Sequence, residues 1–333
     1  MHWKILQLLK NRSPAYLSGE EAARLLAVSR TAVWKNIKLL QKKGYRIESS
    51  TRRGYRLLES PDLLYPAEIS EHLATSLIAA APSLIKHHAQ VGSTNTILKE
   101  LAEDGAPEGT VALAEEQKQG KGRLGRSWAS PFAKGLWLSI LLRPAVAPQE
   151  AQNLTLLSAT ATAKAIAKTA PPLQPGIKWP NDLLLKGRKC CGILTELKAE
   201  ADLLHYIIIG VGINVNADKK DFPEELRESA TSLSLESGGV VPRVKLCSAV
   251  LQELDDSYRE FLLHGPEPAL EEWKRWNITL GKRVTLKTMS GIFAGTAVDL
   301  EKNGALVIED DFGHQQSFLA GEVSLIPERK ITN

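Results

Sequence analysis

The stretch from Gln117 to Trp128, here called the Gly/Arg loop, concentrates groups that bind anions. It contains three glycines and three cationic side chains, namely Gly120, Gly122, Gly125, Lys121, Arg123 and Arg126. Glycines allow successive backbone N–H groups to turn toward one anion, and the cations supply positive charge. The spacing matches neither the Walker sequence nor the Gly-x-Gly-x-x-Gly sequence. It is typical either of a phosphate or carboxylate cradle or of a solvated basic turn.

Four further polar clusters lie where predicted strands begin, end or are interrupted. They are Ser93-Thr94-Asn95, Lys178 to Asp182, Arg188-Lys189 and Gly210 to Asn214. Hydroxyl, amide, ammonium and carboxylate groups in such turns can hold the polar atoms of a ligand. Each cluster also has a purely structural explanation, respectively a helix cap, a proline turn, a strand start and a strand end relaxed by glycine. Their coincidence with the Gly/Arg loop favours one ligand site.

A central mixed sheet is predicted to position these clusters. Hydrophobic patterning predicts strands at residues 85–90, 110–114, 136–142, 176–185, 188–194 and 207–216. The strand at 136–142 is apolar enough to be central in the sheet. Helices are predicted after Ser93, which suits an N-cap, and over the alanine-rich residues 151–168. We expect the last strand to break up at Gly210 and Gly212.

The first sixty residues have the pattern of a winged helix-turn-helix. Three helices are predicted, with Ser18 and Ser29 as N-caps of the second and third. The apolar stripe of the third helix is predicted to contain Val33, Trp34, Ile37 and Leu40. Its exposed face is predicted to carry Arg30, Thr31, Lys35, Asn36 and Lys38. Two alternating strands then enclose a basic tip with Arg52 and Arg53, which is typical of a wing.

This pattern favours DNA binding over a small helical domain with a solvated charged face. The residues predicted to contact DNA are Ser29, Arg30, Thr31, Lys35, Asn36, Arg52 and Arg53. Their types reach phosphates and base edges in a major groove. Domains of this size usually read DNA as dimers, so a dimer is expected.

The C-terminal pattern changes from helices to short strands. Helices are predicted over residues 243–263 and 270–276, and four short strands follow between residues 283 and 319. This spacing suggests a small SH3-like barrel, in which the segment from Gly321 to Ser324 is expected to face the ligand site. Residues 217–235 are polar and contain proline, so they are predicted to be a loop, either an ordinary connection or a cover for the ligand.

Composition sets broad limits on the class of protein. A length of 333 residues suggests two or three domains, and a net charge of +4 permits a polyanionic partner. Cys190, Cys191 and Cys247 do not form a disulfide framework. No apolar run is long enough to span a bilayer, and the first residues lack the pattern of a signal peptide. These features predict a cytoplasmic protein without a membrane partner.

Taken together, the five clusters resemble the motifs of the biotin–protein ligases. The sequences Gly120-Lys-Gly-Arg-Leu-Gly-Arg-Ser-Trp128 and Lys178-Trp-Pro-Asn-Asp182 carry the resemblance most specifically. With the winged helix, the whole chain is similar to the bifunctional members, which also repress biotin genes. The resemblance implies an α+β protein with a winged helix-turn-helix at residues 1–64. It also implies a class II synthetase-like mixed-sheet catalytic domain at residues 65–276 and an SH3-like β-barrel at residues 277–333.

The resemblance also implies which residues bind biotin and ATP. The expected contacts are Ser93, Thr94, Asn95, Gln117, Gly120, Lys121, Gly122, Arg123, Arg126, Trp128, Asn181, Lys189 and Asn214. Among them, Ser93 and Gln117 suit the ureido ring of biotin, and Trp128 suits its apolar tail. The expected catalytic residues are Arg123, Lys178, Asp182 and Lys189, and no metal-ligand set is predicted.

The implied reaction has two steps. The biotin carboxylate attacks the α-phosphorus of ATP in the presence of Mg²⁺, and a lysine of a biotin carboxyl carrier protein then attacks biotinyl-AMP. The adenylate is also expected to act as corepressor, favouring a homodimer on operator DNA. Joining a carboxylate to a triphosphate requires cations placed in advance, and no side-chain nucleophile is needed. Asp182 could orient the incoming lysine, deprotonate it or help to hold Mg²⁺, and the sequence leaves these roles open.

Two departures from the family pattern affect the site. Lys121 stands where arginine is usual, so a bidentate fork becomes a point charge. Cys190 and Cys191 replace apolar and small residues, and we interpret them as small buried hydrophobes rather than a redox switch.

Three other functions remain as alternatives: a biotin sensor without catalysis, a ligase whose winged helix no longer binds DNA, and a ligase for lipoate or another acid. Intact site cations argue against the first, the basic winged helix against the second, and the fit of Ser93, Thr94 and Gln117 to a ureido group against the third.

Overall fold

The computed structural model describes residues 1–200 and 203–326, which divide between Leu63 and Leu64 into two units. The first unit is a three-helix domain with a two-stranded wing. Its elements are α1 (His2–Arg12), α2 (Gly19–Leu25), α3 (Arg30–Lys42), β1 (Arg46–Ser50) and β2 (Gly54–Glu59). The predicted caps are confirmed, because the hydroxyls of Ser18 and Ser29 accept hydrogen bonds from the backbone N–H groups of Glu21 and Ala32.

Two predictions about α3 are wrong. Trp34, expected in the apolar stripe, is 50% exposed, whereas Val33, Ile37 and Leu40 are buried. Asn36, expected on the exposed face, is partly buried, and its amide donates to the carbonyl of Ala32 at 2.8 Å. Helical periodicity locates a stripe only to within a neighbouring position, so its edge depends on what the rest of the domain covers.

The second unit is built on a seven-stranded mixed sheet. Its strands are β3 (Ile85–His88), β4 (Val111–Ala114), β5 (Gly135–Leu142), β6 (Gly176–Lys178), β7 (Asp182–Leu185), β8 (Arg188–Glu200) and β9 (Leu203–Asn214). Their spatial order is β3-β4-β5-β9-β8-β7-β6, and within this sheet only β3 and β4 pair in parallel. Every residue of β5 is buried, as expected for a central strand.

Helices cover both faces of this sheet. The helices are α4 (Pro66–Ile69), α5 (Thr94–Glu103), α6 (Ala151–Thr169), α7 (Leu233–Ser237), α8 (Arg243–His264) and α9 (Glu267–Trp276). On one face α6 and α8 share a large apolar core with Leu138 and Ile140 of β5. On the other face α5 packs Leu98 against Leu141. The polar ends of the strands therefore lie between two packed layers, which hold them in place.

A five-stranded antiparallel sheet follows α9. It contains β10 (Arg283–Lys287), β11 (Ile292–Leu300), β12 (Leu306–Glu309), β13 (Gln315–Phe318) and β14 (Glu322–Leu325), in the spatial order β13-β12-β11-β10-β14. Its buried residues, such as Leu286, belong to the same apolar cluster as the core of the mixed sheet. The predicted fold class is thereby confirmed, while the domain boundaries at residues 64/65 and 276/277 stay predictions.

No helix within the described residues is both long enough and apolar enough to cross a membrane.

Candidate active site

A cavity of about 440 Å³ is lined by residues of β5 to β9 of the mixed sheet and of the loops around them. This volume lies within the range typical of small-molecule sites. Of the predicted ligand-binding and catalytic residues, its lining includes Ser93, Thr94, Asn95, Gln117, Lys121, Gly122, Arg123, Arg126, Trp128, Lys178, Asn181, Asp182, Lys189 and Asn214. Gly120 and Arg188 are not part of the lining. Segments more than a hundred residues apart in sequence thus meet at one cavity.

A chain of oxygen atoms crosses the inner end of the cavity. Asn95 Oδ1 lies 2.6 Å from Ser139 Oγ, which lies 2.7 Å from Thr94 Oγ1, which lies 3.1 Å from Gln117 Oε1. The amide groups at both ends are oriented, because Asn95 Nδ2 donates to Glu196 at 2.6 Å and Gln117 Oε1 accepts the backbone N–H of Thr94 at 2.8 Å. Ser93 makes no side-chain capping bond to α5, contrary to its structural explanation as a helix cap.

The Gly/Arg loop differs from the predicted cradle of N–H groups. The backbone N–H of Gly122 donates to the carbonyl of Arg126 at 2.7 Å, so it is not free for an anion. A Cβ atom at Gly120 would lie 2.3 Å from the carbonyl oxygen of Trp128. Glycine is therefore required there for close packing within the loop, and the side chains of the loop are left to face the ligand.

Both arginines of the loop contact the C-terminal sheet. Arg123 donates to the amide oxygen of Asn181 at 2.9 Å and to the carbonyl of Gly321 at 3.1 Å. Burial lowers the pKa of its guanidinium, which reflects a cation held away from bulk water. Arg126 forms a bidentate pair with Glu322 at 2.7 Å for both contacts. Gly321, Glu322 and Val323 line the cavity as predicted, whereas Ser324 is not part of the lining.

Three charged side chains from the β6–β7–β8 hairpins meet at the outer end of the cavity. Lys178 and Asp182 are direct cross-strand partners, with Lys178 Nζ 3.6 Å from Asp182 Oδ2. Lys189 Nζ lies 2.6 Å from Asp182 Oδ1 and 5.2 Å from the centre of the Trp128 ring. One carboxylate thus holds two ammonium groups beside an aromatic wall, an arrangement that leaves net positive charge for an anionic ligand.

Glycines of β9 make room for neighbouring side chains, including Trp128. They were predicted to break up the strand, and this prediction is wrong. β9 continues through Gly210 and Gly212 to Asn214. A Cβ atom at Gly212 would lie 2.8 Å from Trp128 Nε1, and one at Gly210 would lie 2.4 Å from Asn95 Oδ1. The indole N–H of Trp128 is buried and has no partner among the described residues. Such an orphaned donor is typical of a site shaped for a ligand.

We expect Gly210→Ala to raise the biotin concentration needed for half-maximal activity by about 10²-fold. The added methyl group must displace Asn95 and, with it, the oxygen chain to Gln117. Isothermal titration with biotin checks the result directly. Gly239→Ala is the matched control, because a Cβ atom there meets nothing within 4 Å. Equal biotin affinity of Gly210→Ala and the wild-type chain would contradict this role of the glycine.

The loop after β9 is docked against the start of β8. The backbone N–H of Lys189 donates to Ser229 at 2.8 Å, and its carbonyl accepts from Thr231 at 2.9 Å. Asn214 donates to the carbonyl of Thr231 at 3.0 Å. The segment places Phe222, among other residues, in the cavity wall. This favours the interpretation of residues 217–235 as a cover for the ligand rather than as an ordinary connection.

The cysteines have the environment of buried hydrophobes. Cys190 and Cys191 are fully buried in the core, and Cys247 is buried in α8. Burial raises the pKa of Cys190 to about 12 and the pKa of Cys191 well above its ordinary value. A thiol that stays protonated at neutral pH is a poor nucleophile.

We therefore expect the native chain to react with Ellman's reagent at least about 10²-fold more slowly than free cysteine, because reaction requires the thiolate and access to it. In guanidinium chloride all three thiols should react rapidly. Thiol-reversible loss of activity under mild oxidant, abolished by Cys→Ala, would show that the cysteines act as a switch.

Sequence reasoning missed Ser139 and Glu196. Ser139 is completely buried, and it is the single polar side chain in the apolar run of β5. That lone hydroxyl was the available signal. Glu196 gave no signal, because its role depends on which side chain of α5 it faces.

The basic residues of the winged helix are exposed. Ser29, Arg30, Thr31 and Lys35 on α3 and Arg52 and Arg53 at the wing tip all face solvent within the first unit. The guanidinium of Arg53 lies 4.2 Å from the centre of the Tyr16 ring, a distance at which a cation–π interaction stabilises the side chain.

Three family models match the chain. They are an HTH domain at residues 3–56, the Biotin/lipoate A/B protein ligase family at residues 88–214, and the Biotin protein ligase C terminal domain at residues 279–326. Among solved structures, biotin protein ligase from Aquifex aeolicus in complex with biotin and ATP is 29% identical with a TM-score of 0.63. That match covers 73% of this chain and 99% of the other.

Curated relatives match the chain almost end to end. The bifunctional ligase/repressor BirA of Bacillus subtilis is 37% identical over 316 residues, covering 95% of this chain and 96% of the relative. The protein of the same name from Escherichia coli is 31% identical over 323 residues, covering 97% and 96% respectively. The matches extend along almost the whole length of this chain, including its winged helix, its Gly/Arg loop and its C-terminal sheet, and the chain therefore belongs to the family of bifunctional BirA ligase/repressors.

Proposed function

We propose that this chain activates biotin with ATP, transfers it to a lysine of a biotin carboxyl carrier protein, and represses biotin genes when it holds the adenylate. The observation that carries the proposal is that one cavity combines the oxygen chain ending at Gln117 with the cations Arg123, Lys178 and Lys189. Biotin has a ring with N–H donors, which the oxygen chain can accept. Its carboxylate and the triphosphate of ATP are anionic, so they require the cations.

The oxygen chain favours a ligand that donates N–H groups. Its three contacts join four oxygens, but only Ser139 and Thr94 carry a hydroxyl hydrogen, because both ends are amide oxygens. One contact therefore lacks a hydrogen. A ureido N–H that donates to Gln117 Oε1 frees the Thr94 hydroxyl to donate toward Ser139. Lipoate has no N–H group in its ring, so this count supports biotin over lipoate.

The proposed chemistry uses the cation cluster twice. A biotin carboxylate oxygen bonds to the α-phosphorus as the bond to the bridging oxygen breaks and pyrophosphate leaves. The amine of the acceptor lysine then bonds to the acyl carbon, AMP leaves and one proton is released. Arg123, Lys178 and Lys189 would stabilise the charge that develops on the phosphoryl oxygens.

Among the described residues, side chains alone do not assemble a Mg²⁺ site. The described residues contain no group of three or more His, Cys, Asp or Glu side chains that could hold a metal ion. The cavity carboxylates of Asp182 and Glu322 are each paired with cations. We therefore propose that Mg²⁺ enters on the triphosphate of ATP rather than in a site built by protein side chains alone.

The repressor part of the proposal depends on the winged helix. The exposed cations of α3 and of the wing suit the phosphates and base edges of DNA. We propose that biotinyl-AMP favours a homodimer that binds a palindromic operator, and that the acceptor protein competes with the dimer partner for one surface. The predicted cytoplasmic location accords with the free cysteines.

Biotin-dependent exchange of labelled pyrophosphate into ATP tests the ligase proposal. The assay needs neither acceptor nor operator, and lipoate in place of biotin is the matched control. We expect exchange with biotin and none above background with lipoate. Exchange with lipoate alone would assign another substrate, whereas biotin binding without exchange would indicate a sensor that has lost catalysis.

A further inference from the structure

The exposed face of α3 is organised around a large aromatic side chain. An α-helix turns by 100° per residue, so Thr31, Lys35 and Lys38 lie opposite the buried Val33, Ile37 and Leu40, and Trp34 lies beside them, about 90° from the buried stripe. Trp34 is half exposed, although burying an indole ring is favourable. Trp34 therefore has no role in the core of the domain, and we expect another molecule to contact its exposed ring.

The residues around Trp34 indicate which class of molecule contacts its ring. Helix α3 contains no acidic residue. Within the described residues Arg30, Lys35 and Lys38 form no ion pair, so their charges are not neutralised by the protein. The wing adds Arg52 and Arg53 to the same unit. A flat apolar ring within uncompensated positive charge fits a polyanion that also presents apolar groups, which describes the major groove of DNA.

The bonding of Asn36 strengthens the assignment. Asparagine is the side chain on α3 best suited to pair with adenine. Its amide nitrogen instead donates to the carbonyl of Ala32 at 2.8 Å, and the side chain is partly buried. Base reading by α3 is therefore left to the side chains on the exposed face. Arginine and lysine suit phosphates and the edge of guanine, so Trp34 is the large apolar side chain of this surface that can contact the methyl group of a thymine.

We infer that Trp34 is a specificity-determining residue of this winged helix, contacting the C5-methyl group of a thymine in the major groove. The inference rests on the proposed repressor function and names the residue through which operator sequence is read. The indole N–H can also donate to a base-edge acceptor, since it is the only polar atom of the ring. This contact adds to the affinity for one sequence and not to the affinity for DNA in general.

The test compares sequence-specific with non-specific binding. A duplex is enriched from a random pool by the wild-type full-length chain with biotin and ATP, and a scrambled duplex of equal composition is the reference. We expect Trp34→Ala to weaken binding of the enriched duplex by about tenfold or more and to leave binding of the scrambled duplex within about twofold. Trp34→Phe should recover most of the lost affinity, because a phenyl ring also contacts a methyl group.

Deoxyuridine scanning locates the contact. Each thymine of the enriched duplex is replaced by deoxyuridine, which removes only the methyl group. At one thymine per half-site, deoxyuridine should lower the affinity of the wild-type chain and should not lower the affinity of Trp34→Ala any further. Such non-additivity is expected when the side chain and the methyl group are in contact. Lys35→Ala should weaken both duplexes alike. Leu25→Ala is the matched control, since Leu25 is 55% exposed on α2 and lies off this face.

Three outcomes would overturn the inference. Equal weakening of both duplexes by Trp34→Ala would make the residue a general contact, and no weakening would exclude contact. A shift of the dimerisation equilibrium measured without DNA, with unchanged discrimination, would assign the ring to a second copy of the chain. Unfolding curves of each variant control for folding. If the wild-type chain enriches no duplex, the repressor proposal fails as well, and the two failures are thereby distinguished.

Discussion

Lys178→Met is expected to lower the rate of biotin-dependent pyrophosphate exchange by about 10²-fold to 10³-fold. The Lys178 ammonium lines the cavity, and its nearest carboxylate oxygen is 3.6 Å away, too far for a strong hydrogen bond. Its N–H groups are thus available to phosphoryl oxygens on which charge develops. Methionine keeps a similar length and apolar stem and removes the charge together with the N–H donors, so the loss should appear in kcat more than in the KM for biotin.

Exchange at saturating biotin and ATP measures the effect. Lys99→Met is the matched control, because Lys99 is exposed on α5 and does not line the cavity. The unfolding midpoint of Lys178→Met should stay close to that of the wild-type chain, since the ion pair it removes is long. Wild-type exchange by Lys178→Met would exclude this cation from adenylate formation.

Asp182→Asn is expected to slow both half-reactions by about 10²-fold. Asp182 holds Lys189 at 2.6 Å and Lys178 at 3.6 Å, and an amide cannot neutralise either cation. The two ammonium groups should then separate from the positions in which they face the phosphates. Both carboxylate oxygens of Asp182 already face a lysine ammonium, so we expect an orienting role rather than a general-base role.

Measuring the half-reactions separately distinguishes these roles. Pyrophosphate exchange reports adenylate formation, and a chase of preformed biotinyl-AMP with the acceptor protein reports transfer. Slow transfer with normal exchange would identify Asp182 as the base for the acceptor lysine. Normal rates of both steps in Asp182→Asn would show that Asp182 has no catalytic role. Asp256→Asn is the control, because Asp256 is exposed on α8 and does not line the cavity.

The elements that carry the site were predictable because their signals are local. The caps Ser18 and Ser29, the apolar run of β5 and the helical spacing of α8 each depend on neighbours within a few residues. The clusters around Gln117 and Lys178 were also recognisable, since chemistry at a turn requires particular residue types close together.

The wrong predictions concern properties that distant residues set. Trp34 was assigned to the apolar stripe and Asn36 to the exposed face, yet Trp34 is half exposed and Asn36 is partly buried. The glycines of the Gly/Arg loop were expected to let N–H groups turn toward an anion, but the N–H of Gly122 is bound within the loop. β9 was expected to break up at Gly210, and this glycine accommodates Asn95 instead. A glycine in sequence does not reveal which atom approaches it.

The sequence by itself determined the order of the elements, the family resemblance and the chemical groups available for binding an anion. The tertiary structure alone decided which of these groups meet: the two lysines on Asp182, Arg123 on Asn181, and Ser139 between Thr94 and Asn95. The physical reason is range. Helix and strand patterns reflect contacts within a few residues, whereas a ligand site is formed by side chains that only the packing of the sheet brings within hydrogen-bonding distance.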